Sequence, residues 1–522
     1  MVFVNEKTYQ RYVEENREEE FHREFERALE RVKEDLGKEY PLLIGDKEIK
    51  VNEKFEVRSP FDRSILVGTF QKAGVNEIRE AIGVAKKAFE EWQYVDWHER
   101  VELSYKTAEL MRRQKFELAA IITYENGKNR FESVAEVDEA IDYFTYYAYL
   151  LEENRGYVKP MESRIYKNEI AYSVMRPYGV WAIISPFNFP LAITTTMTLG
   201  AVITGNTAVV KPSSDTPLSA FKLVEIMRRA GFPNEVVNYV TAPGEVFGKE
   251  IVENLDVAGF AFTGSRDVGH KLLKDFINKE PRPVVLELGG KNATIITAKA
   301  DLNKAVEGTF RGAFGFGGQK CSATSRVFVE DKIYDKFVTM FVEKVKSTVI
   351  GDPRDRKTFL GPIINRQAVE KYRKYIEEVK KANGKILIGG NVIDDKKGYF
   401  VEPTVVVDLP YDNWLWYTEL FVPIVLVGKV KSLEEAVKLA NSVDYGLTAG
   451  IFSEDKTEIE YFFDHIQAGV TYANRVVGST TGAMPGVQPF GGWKHSGWTG
   501  RNAGGPYYLL SFLREQARTE YV

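Results

Sequence analysis

The only cysteine of the chain lies in a setting that favours chemistry over packing. Cys321 is the one cysteine among 522 residues, so no intrachain disulfide and no thiolate-rich metal site is expected. It follows the glycine-rich run 315–318 and comes directly after Lys320. Glycines allow a second backbone to approach closely, and a neighbouring cation favours the nucleophilic thiolate. A lone cysteine is more often a small buried apolar residue, but these surroundings favour a nucleophile.

An acid and an amide upstream of the cysteine have the chemistry to assist it. Glu287 ends an apolar run and precedes two glycines, 34 residues before Cys321. At the end of a strand, such an acid can act as a general base. Asn188 lies between Pro186 and Pro190, where its side-chain amide could donate to an oxyanion. Each residue alone also has an ordinary explanation, a helix-cap acid for Glu287 and a simple Asx turn for Asn188.

Composition argues against several other functions. Lys and Arg total 70 against 74 Asp and Glu, a net charge of −4, so nucleic acid is not an expected partner. The chain has no apolar run of about 18 residues and no signal-peptide order at its start, which predicts no membrane partner and a cytoplasmic location. Its five histidines are not at metal-ligand spacing, so no protein-bound metal is expected.

The charged N-terminal stretch 14–36 carries a regular apolar stripe. Its members recur at steps of four, four, three and four: Phe21, Phe25, Leu29, Val32 and Leu36. This spacing predicts an amphipathic helix that packs on the body and is ended by Pro41. A solvated charged tail is the alternative. Further helices are predicted around 75–89 and 134–148.

From residue 179 onward, short apolar runs alternate with helical stretches. The predicted strands are 180–184, 207–211, 236–240, 259–262 and 284–288, and the predicted helices are 191–204, 217–230 and 268–277. This alternation predicts a parallel, doubly wound α/β sheet, which binds ligands at the carboxyl ends of its strands. A second series, with a strand at 326–329 and a helix over 334–349, continues to about residue 475. It predicts a second α/β domain, with the catalytic cleft between the two domains.

Taken together, these motifs resemble those of the aldehyde dehydrogenase superfamily. Asn188, Glu287 and Cys321 occur in that superfamily's order, as do the segments 211–217, 262–265, 419–423 and 489–492. The resemblance runs from about residue 45 to the end. It implies an α/β fold with a Rossmann-type cofactor domain, a second α/β catalytic domain and a small oligomerisation hairpin. The implied parts are an N-terminal helical extension (1–40), an NAD-binding domain (41–156 and 178–289), a catalytic domain (290–489) and oligomerisation segments (157–177 and 505–522).

The resemblance also implies a role for each motif. Cys321 would form a thiohemiacetal with the aldehyde, Asn188 and the Cys321 backbone N–H would hold the oxyanion, and Glu287 would activate the water that hydrolyses the thioester. A CoA-acylating enzyme would not need this base. The implied cofactor is NAD, although no GxGxxG fingerprint is present. The uncharged Ser214, three residues after Lys211, would not repel a 2′-phosphate, so NADP use is also expected. The implied cofactor-binding residues are Ser185, Lys211, Ser213, Ser214, Gly264, Ser265, Glu419 and Phe421.

Within the superfamily, the glycine-rich stretch 478–492 and the run Gly-Gln-Lys-Cys-Ser are similar to the 1-pyrroline-5-carboxylate (L-glutamate γ-semialdehyde) dehydrogenases. That similarity implies oxidation of the semialdehyde to L-glutamate in proline catabolism. The implied substrate contacts are Glu139, Phe189, Ser322, Gly482, Ala483 and Phe490. The implied partners are the small-molecule substrate, further copies of the chain in at least a dimer, and a separate proline dehydrogenase in transient contact. Two alternatives stay open: another semialdehyde or aliphatic aldehyde as substrate, and a catalytically silent structural member of the fold.

Overall fold

Two seven-stranded sheets organise the computed structural model, which describes residues 3–476, 484–498 and 500–522. The strands of the first sheet are, in spatial order, Val284–Glu287, Val257–Thr263, Val180–Ile184, Thr207–Lys211, Val237–Tyr239, Leu42–Ile44 and Lys47–Ile49. The first five run parallel, and the last two are antiparallel to their neighbours. Helices cover both faces of a parallel sheet, so its strands are apolar without alternation. This is the pattern that the sequence shows.

The helices of this half of the molecule match the sequence pattern closely. They are Val75–Trp92, Trp97–Arg113, Lys115–Asn126, Arg130–Glu153, Ala192–Ile203, Pro217–Ala230, Gly244–Glu253 and Arg266–Lys279. Pro217–Ala230 has the predicted bounds, because proline suits the first helical position and Gly231, at φ 110°, takes the left-handed conformation that ends the helix.

The second sheet is also largely parallel. Its strands, in spatial order, are Lys385–Ile388, Thr404–Val407, Ile424–Val430, Thr324–Glu330, Asn292–Ile296, Thr448–Phe452 and Val470–Ala473, and only the first pair is antiparallel. Its helices are Leu302–Phe314, Asp331–Lys346, Arg366–Lys381, Leu433–Asn441 and Lys456–His465. The α/β fold expected from the sequence is confirmed. Across the described parts of the chain, every helix falls short of the length and apolar character needed to cross a bilayer.

The remaining strands form smaller sheets. An antiparallel sheet joins Val158–Met161, Glu169–Pro177 and Leu513–Tyr521, with Glu169–Pro177 in the middle. A mixed sheet joins Lys38–Tyr40, Leu66–Gln71 and Lys54–Arg58, in which the first pair is parallel and the second antiparallel. Two-stranded pairs are Val392–Asp394 with Phe400–Val401 and Tyr445–Gly446 with Trp493–Lys494.

Two predicted helix boundaries are wrong. The stretch 14–36 contains one helix, Glu18–Asp35, after a separate short helix, Tyr9–Glu14, and it ends before Gly37 at φ 80° rather than at Pro41. It buries four members of the predicted apolar stripe, and Leu36, just beyond its end, is half-buried, so the helix packs on the body and is not a solvated tail. The helix expected over 334–349 spans Asp331–Lys346, because the chain closes a tight turn from the Thr348 N–H to the Val345 carbonyl.

Candidate active site

The chain crosses from the first sheet to the second at the site. The strand Val284–Glu287 belongs to the first sheet and Asn292–Ile296 to the second, so the turn 288–291 links them. Ser496, fully buried, holds this turn: its Oγ donates to the Gly289 carbonyl at 2.6 Å, and the Leu288 N–H donates to the Ser496 carbonyl at 2.8 Å. Glu287 is thereby fixed at the boundary between the two sheets.

Cys321 lies in the turn that precedes the neighbouring strand, Thr324–Glu330. Asn292 Nδ2 donates to the carbonyls of Cys321 at 2.7 Å and Ala323 at 2.9 Å. A Cβ added at Gly290 would lie 2.4 Å from the Cys321 carbonyl oxygen, so only glycine lets the two turns touch. The backbone of the cysteine is therefore held directly against the turn that follows Glu287.

Asn188 comes from the opposite side of the cleft, between the strand Val180–Ile184 and the helix Ala192–Ile203. It is 3% exposed, and its Nδ2 donates to the Gln319 carbonyl at 3.0 Å. An amide nitrogen carries two hydrogens, so the second can serve an oxyanion formed beside Cys321. The structure thus brings the amide donor to the cysteine turn.

The electrostatics around the thiol differ from the sequence-based expectation. Burial raises the pKa of Cys321, and the carboxylates of Glu419 and Glu287 raise it further. The expectation that Lys320 favours the thiolate is wrong, because its buried Nζ lies 2.6 Å from Glu132 and is neutralised there. The surroundings therefore disfavour the thiolate, and the thiol must lose its proton before the sulfur attacks.

Glu287 is a half-buried residue whose carboxyl has spare hydrogen-bonding capacity. Burial raises its pKa well above the usual range, and a hydrogen bond from the Gly492 N–H opposes the shift. Its Oε2 is buried and has no hydrogen-bond partner among the described residues. An acid with a raised pKa and a free lone pair is suited to take a proton from water.

Several predicted cofactor residues lie at the carboxyl ends of adjacent parallel strands. Ser185 follows Val180–Ile184, Lys211 ends Thr207–Lys211, and Gly264 and Ser265 follow Val257–Thr263. Nζ of the buried Lys211 donates to the Pro212 carbonyl at 2.8 Å, and burial lowers the pKa of Lys211 to about 8.

The Ser265 side chain does not cap the helix Arg266–Lys279 that it precedes, which leaves N–H groups of the first turn for a phosphate. Together with the strand-end residues, this arrangement fits a dinucleotide.

The other predicted cofactor residues occupy two places. Ser213 Oγ accepts from the Asp215 N–H at 3.3 Å, whereas Ser214 is exposed. At the cysteine end, Glu419 Oε1 accepts from the Gly290 N–H at 2.9 Å, and burial raises the pKa of Glu419 to about 7. Phe421, at φ 59°, packs on another ring, that of Phe187, with 5.8 Å between centres.

The predicted substrate residues are only partly described. Ser322 is 3% exposed and its carbonyl accepts from Thr448 Oγ1 at 3.2 Å. Phe490 exchanges backbone hydrogen bonds with Ala503 at 2.8 and 2.7 Å. Gly482 and Ala483 lie outside the described residues.

Glu139 lies on the helix Arg130–Glu153, and Phe189 lies next to Asn188 between the strand Val180–Ile184 and the helix Ala192–Ile203. Burial raises the pKa of Glu139 to about 8, and its carboxylate accepts from the Tyr143 hydroxyl at 3.1 Å. The ring of Phe189 has the Nζ of Lys128 3.6 Å from its centre.

Comparison of the sequence with known proteins shows which family the chain belongs to. The model of the aldehyde dehydrogenase family matches residues 48–517. The chain belongs to the aldehyde dehydrogenase family. It is 38% identical to 1-pyrroline-5-carboxylate dehydrogenase 2 of Bacillus subtilis (strain 168), over 94% of each chain.

Solved structures of known proteins are similar over the whole chain. A 1-pyrroline-5-carboxylate dehydrogenase from Thermus with bound NAD is 36% identical, with a TM-score of 0.93 over 100% of this chain and 99% of that one. Proline utilization A from Bdellovibrio bacteriovorus is also 36% identical with a TM-score of 0.93, and this chain spans 53% of it. This aldehyde dehydrogenase is therefore an oxidoreductase.

Sequence reasoning missed several residues that position the site of this aldehyde dehydrogenase. They are Lys128, Asn292, Gln319 and Ser496. Gln319 fixes the turn before the cysteine, because its Oε1 accepts from the Ile364 N–H at 2.8 Å and its Nε2 donates to the Phe316 carbonyl at 3.1 Å. Asn292 and Gln319 each lie two residues from a recognised motif position, which is a signal that could have found them. Lys128 has no such signal in the sequence.

Proposed function

We propose that this aldehyde dehydrogenase oxidises L-glutamate γ-semialdehyde to L-glutamate, with NAD as the main cofactor, in proline catabolism. The observation that carries the proposal is the 36–38% identity to relatives named 1-pyrroline-5-carboxylate dehydrogenase over 93–94% of both chains. The meeting of Asn188 with the cysteine turn, beside a half-buried Glu287, supports the chemistry. A cytoplasmic location is part of the same proposal.

The first stage of the reaction is acylation of the cysteine. The half-buried Cys321 thiol loses its proton to solvent, and its sulfur attacks the aldehyde carbon. The resulting oxyanion accepts hydrogen bonds from Asn188 Nδ2 and the Cys321 backbone N–H. Removing one such donor typically raises the barrier by about 3 kcal/mol. The hydride would leave the tetrahedral carbon for bound NAD, whose chemistry is to accept it, and a thioester would be left on Cys321.

The second stage is hydrolysis of the thioester. Glu287 Oε2 accepts a proton from a water molecule, and the hydroxide so formed attacks the thioester carbonyl. The carbon–sulfur bond breaks, and the glutamate product leaves with the new oxygen. Asn188 serves the second oxyanion in the same way as the first. The half-buried setting of Glu287, with no partner on Oε2 in the described structure, suits a base that is needed only at this stage.

The cofactor would lie along the carboxyl edge of the first sheet. In this proposal Lys211 and Ser213 bind the adenosine ribose, while Ser185, Gly264 and Ser265 lie near the pyrophosphate. Glu419 and Phe421 hold the nicotinamide ribose and ring. The uncharged Ser214 would face the ribose 2′ position, where it does not repel a 2′-phosphate, so NADP is also used.

This placement assigns 41–156 and 178–289 to NAD binding and 290–489 to catalysis. The segment 1–40 is then a helical extension of the NAD-binding part.

The substrate would be held at both of its ends. Ser322 binds the α-carboxylate together with Gly482 and Ala483, which lie outside the described residues. Phe189 and Phe490 clamp the aliphatic chain. Glu139 receives the amino group, since a bound ammonium would favour the carboxylate whose pKa burial has raised to about 8.

The antiparallel sheet is the proposed contact between copies of the chain, in at least a dimer. Large apolar side chains are exposed on the segments 157–177 and 505–522 that form it: Met161, Ile165, Tyr166 and Tyr521 are 51%, 82%, 57% and 72% exposed. An exposed apolar patch of this kind is typical of an interaction surface. A transient contact with a separate proline dehydrogenase is also proposed, supported by the similarity to proline utilization A.

A substrate series tests the proposal. NADH formation is followed with L-glutamate γ-semialdehyde, with glutarate semialdehyde, which lacks the amino group, and with pentanal, which also lacks the carboxylate. We expect kcat/KM to fall on the order of 10⁴-fold from the first to the last, because the site then buries polar groups without partners. Equal efficiency with pentanal would refute the substrate while keeping the family.

Two further arms address the remaining alternatives. Release of an acyl-CoA when CoA is added would replace hydrolysis by CoA acylation. Absence of turnover with every aldehyde would favour a silent structural member.

A further inference from the structure

A fully buried lysine that takes no part in the proposed chemistry lies against the Asn188 loop, residues 186–191. Lys128 belongs to the short connection between the helices Lys115–Asn126 and Arg130–Glu153. Its Nζ lies 2.6 Å from Glu136 Oε2 and 3.6 Å from the centre of the Phe189 ring. An ammonium is taken out of water at high cost unless it is paired. Burial lowers the pKa of Lys128, and the pairing with Glu136 opposes that shift and so favours a cation on the ring next to Asn188.

Glu136 extends this contact to the end of the Asn188 loop. Its second oxygen, Oε1, accepts from the N–H groups of Leu191 at 2.8 Å and Ala192 at 3.3 Å. At the start of the loop, Asn126 Nδ2 donates to the Phe187 carbonyl at 2.6 Å. The loop is thus held on both sides of Asn188 by Asn126, Lys128 and Glu136, which lie where the helices Lys115–Asn126 and Arg130–Glu153 meet.

The same lysine also reaches the turn that precedes the cysteine. Lys128 Nζ lies 4.8 Å from the centre of the Phe316 ring, within the turn Gly315–Gly318. A cation is attracted to the faces of aromatic rings, most strongly where water is excluded. One ammonium therefore contacts a ring on each of the two segments that meet where Asn188 donates to the Gln319 carbonyl.

We propose that Lys128, paired with Glu136, is a positioning residue that sets the distance between the Asn188 amide and Cys321. It acts through the rings of Phe189 and Phe316 and does not touch the substrate. The proposal rests on the proposed roles of Asn188 and Cys321. A displacement of about 1 Å at a reacting centre can lower the rate about 100-fold, so loss of this contact should appear in kcat.

The test uses the double variant K128M/E136Q in the full chain. Both charges are removed together, so no unpaired charge stays buried, and the glutamine Oε1 still accepts from Leu191 and Ala192. We expect a melting temperature near that of the wild type, an unchanged Kd for NAD, and a kcat lower by about 100-fold. A wild-type kcat would overturn the proposal.

The matched control is K115M/D138N. Lys115 is another buried lysine, with its Nζ 2.5 Å from Asp138 on the same long helix, and in the described structure the pair has no hydrogen bond to the Asn188 loop or to the cysteine turn. We expect this control to keep the wild-type kcat. An equal loss of kcat in both double variants would show that removing either buried charge pair has the same effect. That result would overturn the specific role of Lys128.

A double-mutant cycle that combines K128M/E136Q with N188A distinguishes a positioning role from a general disturbance of the fold. If Lys128 acts through Asn188, the loss of kcat caused by N188A is much smaller in K128M/E136Q than in the wild type. Independent, additive losses would contradict the proposal.

If K128M/E136Q does not fold, F316L tests the same contact with the ion pair intact. Its kcat should fall, and N188A should lower kcat less in F316L than in the wild type. Parallel assays with propanal distinguish this proposal from the substrate proposal, because a wrong natural substrate would leave the coupling to Asn188 unchanged.

Discussion

Two acids of this protein, the fully buried Glu125 and the half-buried Glu287, differ in what surrounds their oxygens. Glu125 lies at the start of the helix Pro217–Ala230, where its carboxylate accepts from the N–H groups of Leu218 and Ser219 and from the Ser219 hydroxyl. Glu287 lies beside Cys321 and has one oxygen without a partner in the described structure. Burial raises the pKa of both. The raised pKa therefore does not separate the two acids, whereas the unpartnered oxygen of Glu287 beside Cys321 does.

The largest expected effect is at the reaction centre. C321A should lower kcat by at least about 10⁴-fold, because no second thiol can replace the nucleophile. Steady-state NADH formation measures the loss, while a calorimetric titration should show an unchanged Kd for NAD. Formation of a thioester in this variant would contradict the assignment of the nucleophile.

The comparison also predicts how the thiol titrates. The carboxylates of Glu419 and Glu287 disfavour the thiolate and so raise the pKa of Cys321. E419Q and E287Q should each lower that pKa, with the larger change in E419Q, and E125Q should leave it unchanged. The pH dependence of the iodoacetamide alkylation rate measures the pKa. A shift to higher pH in E419Q would show that its carboxylate does not act on the thiol.

On the structural side of the comparison, E125A should lower stability and spare catalysis. Two buried N–H groups lose their acceptor, at a cost of about 1–3 kcal/mol each, while kcat should stay within about twofold of the wild type. Denaturant unfolding and the steady-state assay measure the two quantities. An active-site role for Glu125 would appear as a large loss of kcat in folded protein.

The pH dependence of this stability has a definite sign. The pKa of Glu125 is about 7 in the folded state against the ordinary 4.5, so the folded state binds the proton more tightly. Its contribution to the free energy of unfolding is fully present below pH 4.5 and is lost as the pH rises to about 7. E125A should lack this dependence.

The smallest expected effect is at the exposed Ser214, away from both Glu125 and Glu287. A carboxylate at this position should repel the 2′-phosphate of NADP and accept from the 2′-hydroxyl of NAD. S214E should therefore raise the NAD/NADP ratio of kcat/KM by about tenfold, a change of about 1.4 kcal/mol. An unchanged ratio would mean that this side chain does not face the 2′ position.

Much of this molecule follows from local sequence patterns. The strands Thr207–Lys211 and Val180–Ile184 have their predicted bounds, because a strand buried on both faces needs an uninterrupted apolar run. The topology of a parallel sheet then places Asn188 and Glu287 at one edge. Cys321 was predicted to meet them on the basis of family resemblance, since no local pattern relates the two sheets.

What could not be predicted depends on side chains that meet across long stretches of sequence. Lys320 was expected to assist the neighbouring thiol, but it pairs with Glu132. Lys128 bridges two rings that are far apart in the chain. Such contacts are set by how helices pack, and the direction of a long charged side chain is not encoded in its local sequence.

The division of labour between Cys321 and Glu287 is tested most directly by mixing E287Q rapidly with NAD and L-glutamate γ-semialdehyde. Asn188 and Cys321 should still form the acyl-enzyme, so the account predicts a burst of NADH equal to the enzyme concentration, followed by almost no turnover. Mass spectrometry should then find the acyl group on the peptide that contains Cys321. A full steady-state rate, or a stalled enzyme with neither burst nor adduct, would contradict the assignment of Glu287 as the base for hydrolysis.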